Sequence, residues 1–147
     1  FVSLKSIKKI INFFKGKLNK NIPVVSLVYK TNNPSLIGDE NCVKVVVDIN
    51  KFAMYFSRSK IPFLRNPDKD FNFYIHVGVY GFLSKSIIQF SSMKPSKLEK
   101  TEMLECIRFI ENGQKIKMIE IERPTIGIDT PNDLIEAKKY LESIRNV

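Results

Sequence analysis

Apolar positions recur along this chain with two periods. Leu4, Ile7, Ile11, Phe14 and Leu18 fall three or four residues apart, which predicts an amphipathic helix over residues 3–18 with Ser3 as its N-cap. Val24 to Tyr29 is a short apolar run after Pro23 and reads as a buried strand. Residues 31–41 hold Asn32-Asn33-Pro34 and Gly38-Asp39, so a loop is expected there. From Val43 to Val47 valines alternate with Lys44 and Val46, the period of a strand. A turn follows at Ile49-Asn50-Lys51, with Asn50 suited to a left-handed position, and Phe52–Phe56 is a second strand-forming run. The stretch 43–62 therefore reads as a hairpin that carries Ser57-Arg58-Ser59 at its far end and stops at Ile61-Pro62.

The rest of the chain continues the alternation. Phe63–Asp70 is a polar excursion of the kind that covers ligands. Phe73–Tyr80 reads as a central strand, with His76 its one polar side chain besides tyrosines, and Gly81 is expected to break it. A short helix is expected over residues 83–90. A longer one opens at Ser96, where Ser96 and Glu99 make a capping-box pair, and runs without interruption to Asn112-Gly113. On that helix Leu98, Glu102, Glu105 and Phe109 share one stripe, while Met103, Ile107 and Ile110 share a wholly apolar neighbour. Ile116–Ile121 is a strand, and a last helix starts with Thr130 as N-cap, Pro131 at N1 and Asp133 at N3. Its inward face is Leu134, Ala137, Leu141 and Ile144. Strands alternating with helices give an α/β class.

Composition changes this picture little. At 147 residues, 44% hydrophobic and 27% charged, the chain suits one globular domain. No apolar run approaches the roughly 20 residues of a membrane span. Two cysteines, Cys42 and Cys106, have no metal-ligand spacing, which points to a reduced, cytoplasmic setting. The net charge of +9 raises the question of nucleic acid. Only five of the 24 basic residues are arginines, however, and the lysines are scattered rather than interleaved with aromatics as a single-strand groove requires. The excess reads as compositional bias, with an anionic substrate as a secondary contribution. The chain begins at Phe1, which is read as a start inside a longer coding sequence or as processing.

Three places carry candidate chemistry. Arg58 ends a rigid hairpin, where its planar fork suits a carboxylate or phosphate; the alternative is a surface arginine in an ordinary salt bridge. Glu102 and Glu105 border a packed helix face, and carboxylates placed there accept bonds from backbone amides or ligand hydroxyls, or else reach solvent. Asp129 precedes the last helix at a strand-to-helix turn, where anionic ligands and their metal ions gather; the alternative is a simple cap.

Four segments then occur in order: VKVVVDINKFAMYFSRSKIP (43–62), HVGVYGF (76–82), PSKLEKTEMLECIR (95–108) and GIDTPNDL (127–134). Together they closely resemble the 3-deoxy-manno-octulosonate (Kdo) cytidylyltransferases, also called CMP-Kdo synthetases, over nearly the whole chain. The resemblance implies a mixed-sheet, nucleotide-sugar-transferase-like α/β domain that works as a homodimer. It implies that Kdo is coupled to CMP from CTP, with release of pyrophosphate and help from magnesium, for lipopolysaccharide assembly. By the same resemblance Arg58 is the sugar-binding arginine of FSRxxIP, and His76 and Tyr80 are the sugar contacts of HxGxY. Glu105 meets sugar hydroxyls, and Asp129 is the second magnesium aspartate, hence a catalytic position. Cys106 stands where the family's LEQLR has glutamine, and a thiol is the poorer hydrogen-bonding group.

The resemblance also implies that residues 1–147 are a single partial domain, truncated at the N-terminus. They would keep the sugar-facing and dimer-forming portion and lack the CTP loop and the first magnesium aspartate. Such a chain is expected to be inactive alone and poorly soluble, because an uncovered sheet edge invites aggregation. Two other functions compete: a non-catalytic remnant serving as dimerisation partner of a separate N-terminal half, and a basic nucleic-acid-binding module.

Overall fold

A computed structural model describes residues 2–16, 21–66, 68, 70–122 and 131–145. Five strands form one mixed sheet in the order β3-β2-β4-β1-β5. They are β1 (Val24–Thr31), β2 (Lys44–Val47), β3 (Ala53–Ser57), β4 (Phe73–Phe82) and β5 (Ile116–Glu120). The helices are α1 (Leu4–Lys15), α2 (Pro34–Gly38), α3 (Ser84–Ser92), α4 (Lys97–Glu102), α5 (Cys106–Glu111) and α6 (Pro131–Arg145). β1 runs antiparallel to β4 and parallel to β5.

β1 lies inside the sheet, and six consecutive residues, Val24–Tyr29, are buried. Both its faces are covered, which explains a continuous apolar run rather than an alternating one. Val24 and Val28 pack with Phe56, Ile107, Phe109 and Met118 on the α5 side. Val25, Leu27 and Tyr29 pack with Ile10, Ile75 and Val77 on the α1 side.

Several expectations require correction. The 31–41 segment contains the short helix α2, with Asn33 as N-cap and Pro34 at its start. In the hairpin turn Lys51, not Asn50, takes the left-handed conformation, at φ 61°. The turn is held by Asp48, whose Oδ1 accepts the Phe52 N–H at 2.8 Å. Gly81 does not break its strand: β4 continues to Phe82. A Cβ at Gly81 would lie 2.4 Å from Ile10 Cγ2 and 2.8 Å from Phe14 Cε2, so glycine is what lets α1 sit against the sheet. The helix face that sits there carries Ile10 and Phe14. Leu4 and Ile11, placed on the inward stripe by periodicity, are 75% and 47% exposed.

The long helix expected from Ser96 to Asn112 is two helices. Met103 adopts φ 55°, ψ 47°, ends α4 and re-aims the chain into α5. Met103 is therefore 72% exposed, while Ile107 is buried. The Ser3 cap, the Ser96–Glu99 capping box and the turn at Gly113 (φ 71°) form as expected. Of the expected inward face of α6, Ala137 is fully buried but Leu134 and Leu141 are exposed. Thr130 lies outside the described residues, as does Leu18 of the first helix.

β2 pairs with β4 only through Lys44↔Ile75 and Val45↔Tyr74, next to a His76 N–H bond to the Val43 oxygen. Beyond His76, β4 is paired with β1 alone among the described residues.

Candidate functional site

The site is built where β4, the end of β3 and the α4–α5 corner meet. The His76 and Tyr80 rings lie 5.4 Å apart, and the Phe56 ring meets His76 edge-on at 4.9 Å. The Tyr80 hydroxyl faces the thiol of Cys106, the first residue of α5. Tyr80, Glu105 and Cys106 share the wall of a cavity of about 250 Å³ with Phe82, Phe90 and Phe109. A larger cavity, about 460 Å³, lies between α2 and the 60–73 segment and contains none of the expected site residues. The polar excursion contributes Leu64 and Asp68 to that second cavity, not to the first. The smaller cavity holds Tyr80, Glu105 and Cys106, three of the expected site residues, and is taken as the candidate site.

Burial tunes these groups toward neutrality. It pushes the Tyr80 phenol upward and the Cys106 thiol up to about 11, so both stay protonated at neutral pH. It pulls the His76 imidazole down to about 4. Glu105 sits in the N-cap position of α5, makes no capping bond and is exposed. It is thus an available acceptor at the mouth of the cavity.

Arg58 follows β3 directly. Its Nε donates to the Glu102 main-chain oxygen at 2.9 Å and its Nη1 to the Glu40 oxygen at 3.0 Å. Among the described residues Arg58 makes no salt bridge. Two carbonyls fix the guanidinium, and Nη2 has no partner among the described residues. The Glu102 carboxylate accepts the Ser57 hydroxyl at 2.7 Å and the Arg58 N–H at 2.9 Å, the backbone-amide role expected for a border carboxylate. It ties the end of β3 to the end of α4.

A second brace lies behind the cavity. Arg108 Nε donates to Glu99 Oε2 at 2.7 Å, its Nη2 bonds the other carboxylate oxygen, and its Nη1 donates to the Met93 oxygen at 3.0 Å. The guanidinium lies 4.7 Å from the Phe90 ring centre, and Phe90 stacks on Phe109 at 5.1 Å. One ion pair thus joins α3, α4 and α5 around the aromatic wall of the cavity.

Two polar residues of the sheet escaped sequence reasoning. Ser26 is fully buried in β1, and its Oγ lies 2.9 Å from His76 Nε2. Its signal was present as the one serine in the apolar run 24–29. Lys44 is 0% exposed, and its Nζ donates to the Asp39 oxygen at 2.8 Å. Desolvation lowers its pKa. A lysine flanked by valines in a strand covered on both faces was the clue.

The structure therefore brings His76, Tyr80, Glu105 and Cys106 together, whereas Arg58 lines neither cavity and is tied to the end of α4 through Glu102. Asp129 lies outside the described residues. Among the described residues no three His, Cys, Asp or Glu side chains gather as a metal centre. No described helix is long and apolar enough to cross a membrane.

Comparison with known proteins follows the same lines. The sequence profile of a family described as cytidylyltransferase matches residues 1–116. The 3-deoxy-manno-octulosonate cytidylyltransferase of Flavobacterium johnsoniae is 38% identical over 144 residues, covering 98% of this chain and 59% of that protein. The protein of the same name from Rickettsia rickettsii is 41% identical over 144 residues, covering 98% and 56%. A solved structure of CMP:2-keto-3-deoxy-manno-octonic acid synthetase complexed with CTP superposes with a TM-score of 0.88 at 26% identity. The match covers 97% of this chain and 57% of that one. The chain thus spans a little over half the length of the relatives it matches.

Proposed function

This chain belongs to the cytidylyltransferase family, and from that premise we propose that it is the sugar-facing part of an enzyme that activates Kdo with CTP. The observation that carries the reading is the convergence of Tyr80, Glu105 and Cys106 on one cavity, with His76 in ring contact with Tyr80. These are the positions that the resemblance assigns to the sugar, and relatives 36–41% identical bear the name of that activity.

In this reading the anomeric hydroxyl of Kdo attacks the α-phosphorus of CTP; the new P–O bond forms as the bond to pyrophosphate breaks. The residues of this chain hold the sugar acid. The unengaged Nη2 of Arg58 takes its carboxylate, since two carbonyls already fix the guanidinium plane. Glu105 accepts sugar hydroxyls, and the protonated Tyr80 phenol donates. The Cys106 thiol supplies a weaker contact than an amide at the same place. Asp129, placed by its GIDTPNDL context, would give one ligand to a magnesium ion, which supplies charge stabilisation at the phosphates when bound. The CTP site would come from the portion of the relatives that this chain does not span. A homodimer and a cytoplasmic setting, where CTP is available, complete the proposal.

Calorimetric titration of Kdo into the chain tests the sugar assignment. Binding is expected, with Arg58→Ala weakening it by roughly tenfold or more, the scale of one charge-assisted hydrogen bond. Equal affinity of the variant for the sugar acid would overturn it.

A further inference from the structure

Ser26 is a buried side chain without an assigned role, and its position limits what His76 can do. Its Oγ lies 2.9 Å from His76 Nε2, 2.9 Å from the Val79 oxygen and 3.2 Å from the Val77 oxygen. This contact falls at an irregularity in the β1–β4 ladder, where the register passes from Ser26↔Tyr80 to Leu27↔Val77. At this irregularity the hydroxyl lies within hydrogen-bond reach of the Val77 and Val79 carbonyls.

The proton count then fixes the imidazole. A serine hydroxyl has one hydrogen and two lone pairs. Main-chain carbonyls only accept, so that hydrogen goes to Val79 or Val77. The remaining partner of Oγ, His76 Nε2, is left to donate. The neutral ring carries its hydrogen on Nε2, and Nδ1 keeps a lone pair. No described residue bonds Nδ1, and it is not a fully sealed atom, since no fully buried side-chain nitrogen or oxygen among the described residues lacks a partner.

We propose that Ser26 is a positioning residue that locks His76 as the Nε2–H tautomer and thereby presents Nδ1 as a hydrogen-bond acceptor for a ligand hydroxyl. The inference rests on the sugar reading of the site and sharpens it. An acceptor nitrogen takes an O–H and repels a carboxylate oxygen, so His76 serves a hydroxyl of the sugar while its carboxylate goes elsewhere. The lowered pKa of His76 fits, because a protonated ring would donate from both nitrogens.

His76 is the chain's one histidine, so its ring nitrogens are read without overlap. The experiment is long-range proton–nitrogen NMR of the 15N-labelled 147-residue chain at neutral pH. It is run alone and with the unlabelled N-terminal half of a relative added, and then titrated with Kdo. The expected pattern is a single neutral Nε2–H tautomer. A wild-type Nδ1–H tautomer, or a mixture, overturns the proposal whatever the variants do. Ser26→Thr and Ser26→Val carry nearly the same volume and differ in the hydroxyl. Thr is expected to keep the pattern and Val, like Ser26→Ala, to lose it; an unchanged tautomer in Val or Ala also overturns the proposal. Kdo is expected to shift Nδ1 and leave Nε2 bonded. A correct tautomer with no response to Kdo defeats the sugar reading and leaves the positioning role intact.

Discussion

Arg58 and Glu102 meet through the main chain. The guanidinium donates to the Glu102 carbonyl, and the Glu102 carboxylate accepts the Arg58 N–H. Neither group neutralises the other in a direct side-chain ion pair, so the arginine stays available to an anion while its plane is fixed. Glu102→Ala removes the acceptor of both Ser57 and Arg58 N–H. Losing two such bonds is expected to cost about 1–3 kcal/mol of stability, because the donors are left partly buried. It should also weaken Kdo binding through a loosened arginine. Arg58→Ala should lower affinity with a smaller change in urea midpoint. Measuring midpoint and affinity for both variants checks the division.

Glu99 and Arg108 are both largely buried and bonded at two points. Removing one partner by Arg108→Met leaves an uncompensated carboxylate and is expected to destabilise by about 3–5 kcal/mol. Arg108 holds the Glu99 carboxyl below the usual range. That contribution is present above the unfolded carboxylate pKa and lost as pH falls through the lower folded value. Comparing acid unfolding of wild type with Glu99→Gln reads it: the variant should lose the acid-dependent part of this contribution.

His76 acts over a higher pH window. Its pKa is pulled from 6.5 to about 4 by burial. Between those values the unfolded chain binds more protons, so stability falls as pH drops from about 6.5 and levels off below about 4. The displacement corresponds to on the order of 3 kcal/mol. Urea midpoints at pH 7 and pH 4.5 should differ, and His76→Gln should reduce the difference. A midpoint independent of pH over that range would contradict the neutral buried imidazole.

Gly81 sets the seat of α1. Gly81→Ala drives a methyl group into Ile10 and Phe14, at 2.4 and 2.8 Å before relaxation, with Val25 Cγ2 at 3.0 Å. Overpacking of this kind costs about 1–3 kcal/mol. Adding Ile10→Ala to the variant should recover part of the loss, which thermal unfolding of the double mutant measures.

The strands were legible because β-branched runs bounded by Pro, Gly and Asn leave few alternatives. The capping box at Ser96 was legible for a similarly local reason. What failed was tertiary. Met103 in a left-handed conformation breaks a helix that its own periodicity supports, and only the α4–α5 corner makes that worthwhile. Of the expected stripe Leu4, Ile7, Ile11 and Phe14, Phe14 does face the sheet, but its partner against Gly81 is Ile10, and Leu4, Ile7 and Ile11 are exposed. Lys51 replaces Asn50 because Asp48 holds the turn. At the site, Arg58, His76 and Tyr80 came from motif context. Ser26 did not, since its role exists only through a register irregularity between strands distant in sequence.

The central claim is that this chain carries the sugar-binding residues of a Kdo-activating site. The measurement that tests it most directly is pyrophosphate release from CTP, Kdo and magnesium. It is made with the chain alone and with the N-terminal half of a relative added. We expect no release from the chain alone and release on mixing, abolished or strongly reduced by Arg58→Ala. No release on mixing, with circular dichroism showing both parts folded and associated, would contradict the claim and direct attention to Cys106.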